Sequence, residues 1–198
     1  VVMTTKYYKI SDVTSEQNKR VLVEAGDIIR RGGLVVFPTE TVYGLGGDAT
    51  SSASARAIYA AKGRPADNPL IIHVARPSDA ALYTRTNPVF DRLAARFMPG
   101  PLTVILPSLP SIPTEVRAGL ETVAVRCPSH PVANAFIQAA GIPIAAPSAN
   151  LSGKPSPTSA EDVRDDMDGR VDMILDGGES AVGLESTIVK LEDDGSLI

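Results

Sequence analysis

Short apolar runs recur along this chain, and amphipathic segments of helical period separate many of them. The runs "LVVF" (34–37), "PLIIHVA" (69–75), "LTVIL" (102–106), "TVAVRC" (122–127), "PIAA" (143–146), "VDMILD" (171–176) and "STIVKL" (186–191) have the length and residue types of strands. Between them lie helical patterns. "TSEQNKRVLVEAGDIIRRGG" is capped near Thr14 or Ser15 and stopped by Gly32 and Gly33, with Val21, Ala25 and Ile28 on one face. "SSASARAIYAAKG" places Lys62 at a helix C-terminus, and "NPVFDRLAARFMPG" has Asn87 as cap with Pro88 at the first helical position. "HPVANAFIQAAG" and "SAEDVRDDMDG" complete the set. Such alternation constrains the chain to an α/β fold. Some neighbouring strands have no helix between them, which makes the sheet mixed. The 16 prolines and 16 glycines fall mostly at element ends, so the connections are sharp. The expectation is one domain over residues 1–198. Its close at "EDDGSLI", in mid-strand by pattern, reads as a truncated C-terminus.

Composition narrows the function. A net charge of −4 is unlike a generic nucleic-acid coat, so any anion site must concentrate positive charge locally. Two histidines and one cysteine are too few for a zinc site, and Cys127 cannot form an intrachain disulfide. There is no apolar run of membrane-spanning length and no signal peptide, so a cytoplasmic location is expected.

Polar residues gather where the strands end. "LVVF" is followed by "PTETVYGLGGDA", with Thr39, Glu40, Thr41 and Tyr43; "TVAV" by Arg126; "PIAA" by "PSANLSGKPSPT"; and "VDMILDGG" by "GLESTIV". In open α/β sheets, ligands sit beyond the carboxyl ends of strands. Lys62 and Arg64 stand two apart on a loop stiffened by Pro65 and Pro69. Lys62 alone could simply complement the helix dipole. Arg64, fixed between Gly63 and Pro65, suits bidentate recognition of phosphate or carboxylate. Ser148, Asn150, Ser152 and Ser156 crowd one Pro-rich loop, where short donors hold a phosphate or base at low ordering cost. His73, read alone, is a satisfied core histidine. Arg126 in an apolar strand needs an anion if buried: Glu121, Asp176 or a ligand carboxylate. Cys127 reads as a buried free thiol rather than a nucleophile. Neither GxxxxGK[ST] nor GxGxxG occurs, so a nucleotide would be held by side chains and ordinary loop amides.

In order along the chain, "FPTETVYGLGGDA", "KGRPADNPLIIHV", "PGPLTVIL", "VAVRCPSHP", "APSANLSGKPSPT" and "ILDGG…VGLESTIV" resemble the YrdC/TsaC family of threonylcarbamoyl-AMP synthases. The resemblance runs from about residue 14 to 191, and its Lys-Gly-Arg and Ser-Ala-Asn signatures are specific. It implies a YrdC-like α/β fold, a twisted mixed sheet around a concave, positively charged cleft. It further implies that L-threonine, bicarbonate or carbon dioxide, and ATP are joined into threonylcarbamoyl-AMP, with release of pyrophosphate. A separate transferase would then modify the adenosine beside the anticodon of tRNA. Magnesium would arrive with ATP, held by no protein side chain.

Carried over by the resemblance, Lys62, Arg64, Asn68, Thr122, Ser148, Asn150 and Ser156 would bind ATP, Lys62 and Arg64 being the catalytic pair. Thr41, His73, Arg126, the backbone at Ala146, and Ser186 would bind threonine. Family members also carry a nucleotide-contacting arginine just after the segment matching "EDDGSLI". Two rival readings share the fold: an RNA-binding module without catalysis, and the carbamoyl-transfer domain of hydrogenase maturation, whose additional regions have no counterpart in this sequence.

Overall fold

A computed structural model describes residues 3–63, 68–192 and 196–198. Nine strands form one mixed sheet, in the order β1-β8-β2-β3-β7-β4-β6-β5-β9. They are β1 (Lys6–Lys9), β2 (Val35–Phe37), β3 (Gly44–Asp48), β4 (Ile71–His73), β5 (Leu102–Pro107), β6 (Thr122–Arg126), β7 (Ile144–Ala146), β8 (Met173–Asp176) and β9 (Thr187–Lys190). The helices are α1 (Glu16–Arg30), α2 (Ser52–Lys62), α3 (Pro88–Phe97), α4 (Pro131–Ala140) and α5 (Ala160–Met167). The sequence-expected caps hold: Ser15 accepts from the Asn18 amide and Asn87 from the Phe90 amide. α2 stops at Gly63, whose φ of 69° needs no Cβ to be accommodated.

Two strands have no strand-like pattern in sequence. β1, "KYYK", is an edge strand with exposed ends. β3, "GLGGD", lacks β-propensity altogether, yet it lies between β2 and β7. Close approach explains it. A Cβ on Gly46 would stand 2.8 Å from the Ile144 side chain and 3.0 Å from the Phe37 ring. Only glycine leaves Phe37 room to lie across β3.

Because side chains alternate along a strand, each strand feeds two faces. Leu34, Val36, Ile72, Val104, Val123, Val125, Ala145 and Ile174 point into one core with α2, α3 and α5. Val35, Phe37, Ile144, Ala146, Met173 and Leu175 point the other way, against α1 and α4. Those two helices cover only the β1-to-β7 half of their face. Over β4, β6 and β5 the same face continues with Ile71, His73, Ala124, Arg126 and Thr103, and no helix among the described residues lies on it. From that half, Ile71, His73 and Arg126 line a small pocket.

α1 and α4 touch at Gly26, where an added Cβ would come within 2.7 Å of the Ala139 carbonyl oxygen. Gly26→Ala gains helix propensity of about 1 kcal/mol. Overpacking costs about 1–3 kcal/mol, so net destabilisation is expected. A lowered denaturant midpoint with unchanged slope would bear this out; a more stable variant would refute the close approach.

Candidate functional site

The site grows from the carboxyl ends of β2, β6 and β7. A small pocket of about 40 Å³ is lined by Thr39, Tyr43, Ile71, His73, Arg126, Ala146, Ser148, Glu185 and Ser186, among others. At about 10–15 Å³ per water, it admits roughly three waters.

Arg126 ends β6 and is 4% exposed. Its partner is neither Glu121 nor Asp176, the acids expected from sequence. Glu121 is exposed, and Asp176 accepts from Tyr7 and the Gly178 amide. Arg126 instead pairs with Glu40, donates from Nη1 to Thr41 Oγ1 at 2.9 Å, and from Nε to the Gly100 carbonyl at 3.4 Å. The correction has a simple cause: "PTET" after β2 lies across the sheet from the end of β6, and separation in sequence hides that. Burial alone would raise the pKa of Glu40. Arg126 and the Ser129 hydroxyl and amide outweigh it, leaving the carboxyl below its usual range.

His73 sits beside Arg126 in register and packs edge-on to Phe37, with centroids 5.6 Å apart. Nδ1 lies 3.0 Å from the Ile71 carbonyl and 3.2 Å from that of Ile144. Two acceptors fix the proton on Nδ1 and leave Nε2 as an acceptor. Burial, reinforced by the Arg126 charge, pushes the His73 pKa down to about 4. The sequence reading of a satisfied histidine holds: one ring nitrogen is satisfied by backbone, and the ring also lines the pocket.

Lys62 is 3% exposed, at the end of α2. Its Nζ donates to the Ser148 carbonyl at 2.7 Å and lies 3.4 Å from Asn150 Oδ1, to which Ser148 Oγ also donates. Lys62 of the Lys-Gly-Arg signature thus meets the Ser-Ala-Asn signature in space. Ser156 donates to Glu185 at 2.6 Å, and Ser186 pairs with Thr103 at 2.6 Å. Two predicted residues stand apart from the pocket. Asn68 is exposed before β4, its carbonyl held by Tyr59. Thr122 shares the face of Arg126 but starts the strand, in a groove of about 590 Å³ with Arg85, Arg117 and Lys190. Arg64 lies outside the described residues.

Sequence reasoning did not single out Glu185, which lines the pocket, Thr103, which pairs with Ser186, or Glu40 as the partner of Arg126. Thr103 had a signal, being the polar exception in "LTVIL". Residues 178–186 form a strap over the cleft: Val182 and Gly183 amides donate to the Glu40 and Thr41 carbonyls, and Tyr43 donates to that of Gly178.

The family model for Sua5, YciO and YrdC, described as "Telomere recombination", matches residues 27–198. The chain belongs to this Sua5/YciO/YrdC family. It is 50% identical to the threonylcarbamoyl-AMP synthase of Bacillus subtilis over 97% of this chain and 56% of that protein. The crystal structure of Pyrococcus abyssi Sua5 complexed with L-threonine is similar with a TM-score of 0.90, at 47% identity over 94% of this chain and 54% of that one. Escherichia coli YciO gives a TM-score of 0.85 at 26% identity, over 98% and 94%. The chain therefore spans about half the length of the first two relatives.

A depressed histidine pKa gives a signed prediction. The unfolded chain binds a proton at His73 below about pH 6.5, whereas the native state binds it only near pH 4. Its contribution makes stability rise with pH across that window, by up to about 1.4 kcal/mol per unit, and level off above it. Nitrogen NMR should find the His73 ring neutral, protonated on Nδ1, down to about pH 5. A midpoint near 6.5 would contradict the buried, doubly accepted geometry.

Proposed function

We propose that this chain makes threonylcarbamoyl-AMP from L-threonine, bicarbonate or carbon dioxide, and ATP, releasing pyrophosphate. The observation that carries this reading is the meeting of two sets of residues at one cleft. His73, Arg126, Ala146, Ser148 and Ser186 line one pocket, and Lys62 and Asn150 adjoin it through Ser148. Likeness to a Sua5 complexed with L-threonine supports the amino acid as substrate.

On this reading, the threonine carboxylate lies on Arg126. The deprotonated amine attacks carbon dioxide, forming the N–C bond of a carbamate as it loses a proton. A carbamate oxygen then attacks the α-phosphorus, and pyrophosphate departs with the electrons of the broken P–O bond. Charge grows on oxygens around phosphorus, and fixed cations stabilise it best when no rearrangement is needed. Lys62 is held in place by the Ser148–Asn150 turn, and Arg64 would supply the second charge. Asn68 and Thr122 would touch the far end of the nucleotide, and Ser156 would exchange Glu185 for ligand. Among the described residues, no three His, Cys, Asp or Glu side chains are grouped to hold a metal. Magnesium would enter with ATP on phosphate oxygens and offset their charge. A restricted cleft would shield the carbamate from water.

The product would pass to a tRNA-modifying transferase in the cytoplasm. No described helix is long and apolar enough to cross a membrane.

The direct test supplies ATP, bicarbonate and single amino acids and measures pyrophosphate. Release should depend on threonine. Serine lacks one methyl, worth about 1–3 kcal/mol, so its kcat/KM should be roughly 10- to 200-fold lower. Equal efficiency for the two would contradict the assignment of Thr41, His73 and Ser186. Arg126→Ala should weaken threonine binding while changing ATP binding less, as read by calorimetry. RNA binding that falls steeply with salt, without threonine-dependent chemistry, would favour the RNA-binding reading instead.

A further inference from the structure

We infer that Glu40 is a positioning residue for amino-acid recognition, aiming the Arg126 guanidinium at the substrate carboxylate from behind; this rests on the threonine site proposed above. Glu40 does not line the pocket. Its carboxylate takes Arg126 Nη2 on one oxygen, and the Ser129 amide at 2.7 Å and the Ser129 hydroxyl on the other. The side chains of the pair are 5% and 13% exposed, so neither is free to reorient in solvent.

A guanidinium has five N–H groups. Contacts with described residues occupy three of those on Arg126: Nε toward Gly100, one Nη1 toward Thr41 and one Nη2 toward Glu40. Contacts with described residues leave one N–H on each Nη, and a carboxylate can accept from two guanidinium N–H groups at once. Two hydroxyls brace the guanidinium from the side: Thr41 Oγ1 accepts from Arg126 Nη1 and lies 3.0 Å from Thr39 Oγ1, which donates to the Val42 carbonyl at 2.6 Å and accepts from the Thr41 and Val42 amides. Glu40 also neutralises the guanidinium charge. Grip on the substrate then depends on the direction of the N–H bonds more than on net charge, so losing the orienting acid outweighs the charge it unmasks. The Glu40 carbonyl meanwhile accepts the Val182 amide, which ties the same residue to the strap.

The test is calorimetric binding of L-threonine and of ATP to wild type, Glu40→Gln, Arg126→Ala and the double variant, with melting temperatures measured alongside. Glu40→Gln should weaken threonine binding about 10-fold or more and change ATP binding less than about twofold. In the Arg126→Ala background, Glu40→Gln should add nothing, because the group it aims is gone. Equal losses for both ligands would overturn the inference, because they mark a merely structural role. So would additive losses on threonine, or unchanged threonine affinity in Glu40→Gln. Should Glu40→Gln fail to fold, Ser129→Ala removes one anchor of the carboxylate and should give a smaller loss confined to threonine; no such selective loss would overturn it equally. A wild-type chain that does not bind threonine would instead refute the proposed function itself.

Discussion

A guanidinium at the end of an interior strand, almost out of contact with water, has to be compensated on the spot. Arg126 meets that requirement with Glu40, Thr41 and Gly100, which come from two separate connections. Desolvation works to lower its pKa, and the Glu40 carboxylate opposes it. Removing one member of such a buried pair strands the other, at a cost of about 3–5 kcal/mol. The loop after β2, the Gly100 turn, the N-terminus of α4 at Ser129 and the strap therefore all converge on one charge. The order of the cleft follows from that convergence.

The sheet makes the cleft by covering one face incompletely. α1 and α4 lie on the half that holds β1 to β7, and their apolar stripes match Val35, Phe37, Ile144 and Met173. Beyond β7 the alternating positions turn to His73, Arg126 and Thr103, and the strap replaces a helix as cover. A strap held largely by backbone hydrogen bonds has few buried apolar contacts, and elements of that kind open at lower cost than a packed helix. Val182 and Leu184 on it are at least half exposed, which agrees with this.

Two carboxylates stand where anions would bind, Glu40 against Arg126 and Glu185 against Ser156. Their circumstances differ. Glu40 is half-buried and braced by Ser129, whereas Glu185 is exposed and rests on a single hydroxyl. The first is part of the frame, and the second is the more loosely held of the two. Lys62 resembles Glu40, since its ammonium is folded into the Ser148–Asn150 turn and braces that loop. Preorganised charge of this kind needs no reorganisation at the moment of reaction.

Much of this was legible in the chain itself. Hydrophobic period and caps determined α1 to α5 and most strands, because burial on one face or stripe writes a repeat into the sequence. The ordered motifs determined the family. β3 was not legible, because "GLGGD" is a strand only where Phe37 and Ile144 leave no room for a Cβ. Nor was the partner of Arg126. Glu40 is 86 residues away, and the choice of Glu40 over Glu121 or Asp176 depends on which connection the sheet order brings to the end of β6. Sequence by itself determined which residues carry charge and which way each strand alternates. Tertiary structure alone decided which charges face each other, because an ion pair depends on distance in space, and strand order sets that distance.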